Sequence, residues 1–221
     1  MINLRPSVGI GVSLLVLVAA VALSSMAATD LGLFQDHRDI GVTPKKGKSD
    51  YDPVNGFYRV TGGGANLWLQ ADAFQYVYRQ LSGNVALAAD IDFVGKGSEA
   101  HRKAALMIRQ DLKPDSAYVD VALHGDGLTA LQYRPSAGAT TEELRSDVKS
   151  PVRIRIERHG NAFTISAGNP GQEMKSTGPV SVTMHDPVYV GLAVCSHNVQ
   201  VLESAVFSNV VLEAEKPAVT K

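Results

Sequence analysis

Seven polar side chains stand where their neighbours are mostly apolar: Lys103, Arg109, Asp120, His124, Gln132, Arg134 and His197. In Lys103-Ala-Ala-Leu-Met-Ile-Arg109 the two cations share parity with Ala105 and Met107, opposite Ala104, Leu106 and Ile108. Asp120 and His124 oppose Val119, Val121 and Leu123, and Gln132 and Arg134 oppose Leu131 and Tyr133. His197 follows the apolar run Val188–Cys195. Successive side chains of a strand point to opposite faces, so this parity gathers the polar set on one side of a sheet. Charged and amide groups held at fixed spacing can grip hydroxyls or a carboxylate in pairs. Trp68 or Tyr118 would offer a ring for stacking. Arg109 is the expected leading ligand contact, because a planar five-donor group reaches two hydroxyls or one carboxylate where lysine cannot. The competing reading makes these residues solvated strand faces, with Trp68 in the core and an Arg109–Asp120 pair tying neighbouring strands.

Other chemistries lack their parts. Glycoside hydrolysis needs two carboxyl groups flanking the scissile bond, and the nearest pattern, Ala88-Ala-Asp90-Ile-Asp92, has two Asp on one face and no Glu. Gly62-Gly-Gly64 precedes no Lys-Ser/Thr and reads as a tight strand connection rather than a phosphate loop. Gly97-Ser98 lacks the flanking pattern of a nucleophile elbow. The six histidines (37, 101, 124, 159, 185 and 197) show no i, i+2 or i, i+4 metal spacing. Asp36, Asp39, Asp50 and Asp52 are the candidate ligands for a structural calcium, and no other cofactor is expected. The expectation is a protein without catalytic activity.

The elements that must position this set are strands. Gly and Pro clusters such as Asn55-Gly56, Ser82-Gly83-Asn84, Gly125-Asp-Gly127 and Asn169-Pro-Gly171 punctuate short alternating runs, the pattern of a sandwich or barrel. Val85, Leu87, Ala89, Ile91 and Phe93 share a face, and Val152, Ile154 and Ile156 alternate with Arg153, Arg155 and Glu157. Arg158-His-Gly-Asn161 predicts a hairpin into Phe163 and Ile165. Val188–Cys195, apolar on both faces, predicts a central strand, and Glu203–Leu212 a closing one. No segment sustains a 3.6-residue period.

Residues 1–28 read as a secretory signal: Arg5, the apolar run Ile10–Leu23, then small residues through Ala28. An uncleaved anchor is the alternative. Residues 29–213 are then one domain, and 214–221 a polar tail. A formal net charge of −1 offers no electrostatic case for nucleic acid. Cys195 is the only cysteine, so no internal disulfide can form, and its apolar strand predicts a buried thiol.

Asp39-Ile-Gly41, Tyr51-Asp52, Tyr58-Arg-Val-Thr-Gly-Gly-Gly-Ala-Asn-Leu-Trp68 and Asp72-Ala-Phe-Gln-Tyr-Val-Tyr78 follow one another as in exported bacterial jelly-roll modules. The likeness continues through Arg102–Arg109, Tyr189–Val194, Ser196-His-Asn198 and Ala205–Val210, so the chain resembles this family over about 33–213. The resemblance implies an all-β, concanavalin A-like or laminin G-like jelly roll of two antiparallel sheets, one with a concave face. The functional expectation, drawn from the leader, the polar strand face and the missing catalytic patterns, is a periplasmic or secreted, monomeric, noncatalytic recognition module binding carbohydrate. A protein-interaction or scaffold module of an envelope complex is the alternative, and a glycan-active hydrolase the third reading. Contact with membrane would come only through an uncleaved leader.

Overall fold

The computed structural model describes Met1 and residues 30–215, so the expected leader beyond Met1 and residues 216–221 of the tail lie outside the described residues. The chain runs through β1 (Asp36–Ile40), β2 (Lys48–Asp52), β3 (Phe57–Gly62), β4 (Leu67–Trp68), β5 (Ala71–Asp72) and β6 (Phe74–Leu81). There follow β7 (Val85–Phe93), β8 (Lys103–Arg109), β9 (Tyr118–His124), β10 (Thr129–Arg134) and β11 (Glu142–Arg145). The last five are β12 (Arg153–His159), β13 (Ala162–Gly168), β14 (Lys175–Ser181), β15 (Val188–Cys195) and β16 (Glu203–Ala214). Two seven-stranded antiparallel sheets result, ordered β1-β6-β15-β8-β9-β10-β11 and β14-β13-β12-β7-β16-β3-β2, while β4 and β5 pair only with each other.

The alternation seen in the sequence builds the core between the sheets. Leu87, Ala89 and Ile91 of β7, with Ile154 and Ile156 of β12, meet Leu106 and Ile108 of β8 and Val119 and Val121 of β9. Each buried Leu, Ile or Val side chain among these contributes roughly 1.5–3 kcal/mol relative to exposure. β15 lies between β6 and β8 as its two apolar faces predict. The β12–β13 hairpin turns at Gly160, whose φ of 59° is one that glycine adopts without a Cβ penalty. Cys195 is fully buried with a free thiol, and burial pushes its pKa up to about 11.

The outer face of the first sheet is the surprise. A solvated face was one expectation, yet Phe74, Tyr76, Tyr78, Met107, Tyr118 and Ala193 form a second buried cluster there. Its roof is the β4–β5 hairpin, which sets Leu67 into this cluster, and the loop from Asp111 to Ser116. Asp72 N–H donates to Pro114 O at 2.9 Å, joining the two pieces of roof. The run Gly62-Gly-Gly64 is the close connection expected. A Cβ on Gly64, at φ +108°, would stand 1.9 Å from Ala73 O, and Gly64 O accepts from Ser196 Oγ at 3.3 Å.

Candidate functional site

The pairing register sorts the outer face of the first sheet into rows running across the strands. Cys195, Lys103 and His124 form the first, and Ala193, Ala105, Ala122, Ala130 and Arg145 the second. Gly191, Met107, Asp120, Gln132 and Glu143 form the third. Tyr189, Arg109, Tyr118 and Arg134 form the fourth. Neighbouring rows are two residues apart along each strand, or about 7 Å. The four alanines of the second row are fully buried, and the polar side chains of the first and third rows form two rails on either side of them.

Beside the roof lies a cavity of about 220 Å³. Lys103, His124, His101 and His197 line it together with Gln132, Glu143 and Arg145. Asn66 and Trp68 reach in from the roof. Lys103 Nζ donates to Asn66 Oδ1 at 2.6 Å. Gln132 Nε2 donates to Glu143 Oε2 at 3.0 Å, and Arg145 Nε to Glu143 Oε1 at 2.7 Å. Burial alone would raise the Glu143 pKa, but the Arg145 and Gln132 donors bring it below the usual carboxylate range. His124 pairs Nδ1 with Leu128 O at 3.2 Å; burial first, then the Lys103 charge, holds its pKa down at about 4. Burial, Lys103 and His101 likewise lower His197, whose backbone sits at a φ of 59°. Such a conformation is sparsely populated for a residue with a Cβ and persists where the surroundings fix it. The imidazoles of His101 and His124 lie 5.8 Å apart by ring centroid, those of His101 and His197 5.6 Å.

Of the seven residues singled out by strand parity, Lys103, His124, Gln132 and His197 come together around the cavity. Arg109, Arg134 and Asp120 share the predicted face but are sealed beneath the roof, each 0% exposed. That corrects the expectation for Arg109 as the leading ligand contact: Nε donates to Asp111 O at 2.7 Å and Nη2 to Lys113 O at 2.5 Å. Arg134 donates to both oxygens of Asp72 at 2.7 and 2.6 Å and to the carbonyls of Leu69, Ser116 and Ala139. The carboxylate between the two arginines is thus Asp72, not Asp120. Asp120 has neither oxygen in a hydrogen bond among the described residues, and burial raises its pKa well above the usual range against the opposing charge of Lys103. Tyr118 is fully buried under the Arg134 guanidinium, 4.9 Å from its ring centroid, so it cannot stack on a ligand. Trp68 is half-buried and stands at the cavity wall.

His101, Asn66, Glu143 and Arg145 went unread in the sequence because their segments carry no apolar alternation. Asp90 lies on the outer face of the other sheet, paired with Arg153 at 2.6 Å. Asp36 accepts from Tyr78 Oη, Asp39 from Gly47 N, and Asp52 from the turn at Val54 and Asn55, while Asp50 pairs with Lys48. Among the described residues no group of three or more His, Cys, Asp or Glu is arranged to hold a metal ion.

No family model matches this sequence, and no curated protein matches it. Solved structures do share its fold. A functionally unknown protein from Saccharomyces cerevisiae superposes with a TM-score of 0.57 at 12% identity, covering 77% of this chain and 97% of that one. Lectin II from Ulex europaeus superposes at 0.53 and 10% identity, covering 83% and 100%. The GH43 protein BlXynB of Bacillus licheniformis, in a K247S mutant, superposes at 0.54 and 10% identity, covering 81% of this chain and 39% of that one. The architecture is the concanavalin A-like jelly roll that the sequence resembles.

Proposed function

We propose that this chain is a noncatalytic, exported recognition module that binds a saccharide in the cavity lined by Lys103, His124, Gln132 and His197. The observation that carries the reading is the convergence of Lys103, His124, His197 and Gln132 on one cavity, with Trp68 at its wall. A small cavity walled by hydrogen-bonding side chains, with the Trp68 ring beside them, suits a sugar that carries hydroxyls on its rim. The lectin likeness in fold accords with this use. A noncatalytic role is favoured because Glu143 is already held by two donors and Asp120 is fully buried outside the cavity lining.

The test is a glycan array followed by calorimetry on the secreted chain. Binding at micromolar level, weakened by Gln132→Ala and Trp68→Ala with unchanged melting, is the expected result. Binding that both variants leave intact would remove the site from this cavity. Export predicts a mature protein beginning after Ala27 or Ala28, read by mass spectrometry.

A second reading, a docking module for another envelope protein, rests on the opposite side of the same hairpin. There a groove of about 690 Å³ is lined by Val42, Trp68, Leu69, Pro114 and Val199, with Val42 and Leu69 well exposed. Leu69→Asp should abolish capture of such a partner while leaving saccharide binding intact.

A further inference from the structure

We infer that the saccharide bound in this cavity is acidic, and that its carboxylate docks on the ammonium of Lys103; the inference rests on the saccharide-binding reading above. Lys103 is only 3% exposed, yet it lines the cavity. An ammonium has three N–H donors, and only one is used, toward Asn66 Oδ1. No carboxylate forms an ion pair with it among the described residues. A buried charge is normally paired, because desolvation without a counterion is costly.

The carboxylates of the neighbourhood are committed elsewhere or held from ionising. Glu143 takes Arg145 and Gln132, Asp72 takes Arg134, and Glu99 accepts from Asn198 Nδ2 at 2.9 Å. Asp120 lies in the third row, fully buried, where desolvation favours its neutral form. The remaining groups facing Lys103 are the Cys195 thiol and the imidazoles of His101, His124 and His197, none of which supplies an anion near neutral pH. Lys103 is thus a cation awaiting a partner from outside the chain.

The groups beside it complete a recognition pattern rather than a bare anion hole. Gln132 is 1% exposed; its Nε2 is spent on Glu143, while its Oε1 is buried without a hydrogen-bond partner. His197 Nδ1 is likewise buried and unpartnered. His124, donating through Nδ1 to Leu128 O, leaves Nε2 as an acceptor. A uronic-acid residue answers Lys103 and His124 together: its carboxylate accepts from Lys103, and a ring hydroxyl donates to His124 Nε2. A neutral hexose would leave the ammonium uncompensated.

The experiment compares matched pairs by calorimetry: tetragalacturonate and tetraglucuronate, each against its fully methyl-esterified form, with the neutral tetrasaccharides alongside. The expected result is a preference of about tenfold or more for an acid over its ester, reduced by added salt and lost in Lys103→Met. Lys103→Arg should retain part of it. Equal binding of acid, ester and neutral sugar would overturn this inference while leaving the saccharide site standing. Binding of none of them, with no neutral glycan bound on the array either, would overturn both. Should Lys103→Met fail to fold, the acid-to-ester ratio of the unsubstituted protein decides the matter alone.

Discussion

Arg134 and Asp72 face each other through two hydrogen bonds of 2.7 and 2.6 Å, with both side chains wholly buried. Arg109 approaches the same carboxylate at 3.6 Å. Together they staple the β4–β5 hairpin to the first sheet, which makes them architectural. Arg134→Gln would strand Asp72 in the interior and free several carbonyls. It should therefore destabilise the fold by roughly 3–5 kcal/mol, measured by urea denaturation. An unchanged midpoint would show that apolar packing alone holds the roof.

Lys103 should behave in the opposite way. Lys103→Met replaces a buried ammonium by an apolar chain of similar length and breaks no ion pair, so stability should be unchanged or higher. Burial, the largest influence on Lys103, lowers its pKa from the ordinary 10.5. The unfolded chain then binds more protons between the folded value and 10.5, and stability rises with pH across that window. Lys103→Met should abolish that rise, as read from melting curves at stepped alkaline pH.

His124 governs the acid side. Its pKa is about 4 in the fold against 6.5 ordinarily, so the unfolded chain takes up the proton first as pH falls. The contribution of neutral His124 is fully present above pH 6.5 and is lost progressively between 6.5 and about 4. The loss amounts to about 3 kcal/mol. In His124→Gln, denaturation midpoints should fall less steeply over that interval; an identical slope would exclude His124 as its source.

Much of this was legible in the sequence because a period of two is a strong signal. β7, β9, the β12–β13 hairpin and the central place of β15 follow from alternation, and so does the shared face of Lys103, Arg109, Asp120, His124, Gln132 and Arg134. What alternation cannot show is what lies above a face. The roof is made from two-residue strands and a loop, Leu67–Asp72 and Asp111–Ser116, where no period exists to be read. Hence the difference between Arg109, buried and spent on carbonyls, and Lys103, buried but open to the cavity, appears only in three dimensions. Asp72 was invisible as a partner for the same reason: its contact with Arg134 spans 62 residues of sequence.

The same short hairpin carries Trp68 at one end and Asp72 at the other, so the wall of the cavity is fastened by residues that no ligand touches. A mutational library scored only for binding would rank positions 72, 109 and 134 beside 103 and 132 and draw a site far larger than the real one. Scoring the library in parallel for protease resistance would divide it, because the staple positions fail both screens and the rail positions fail one.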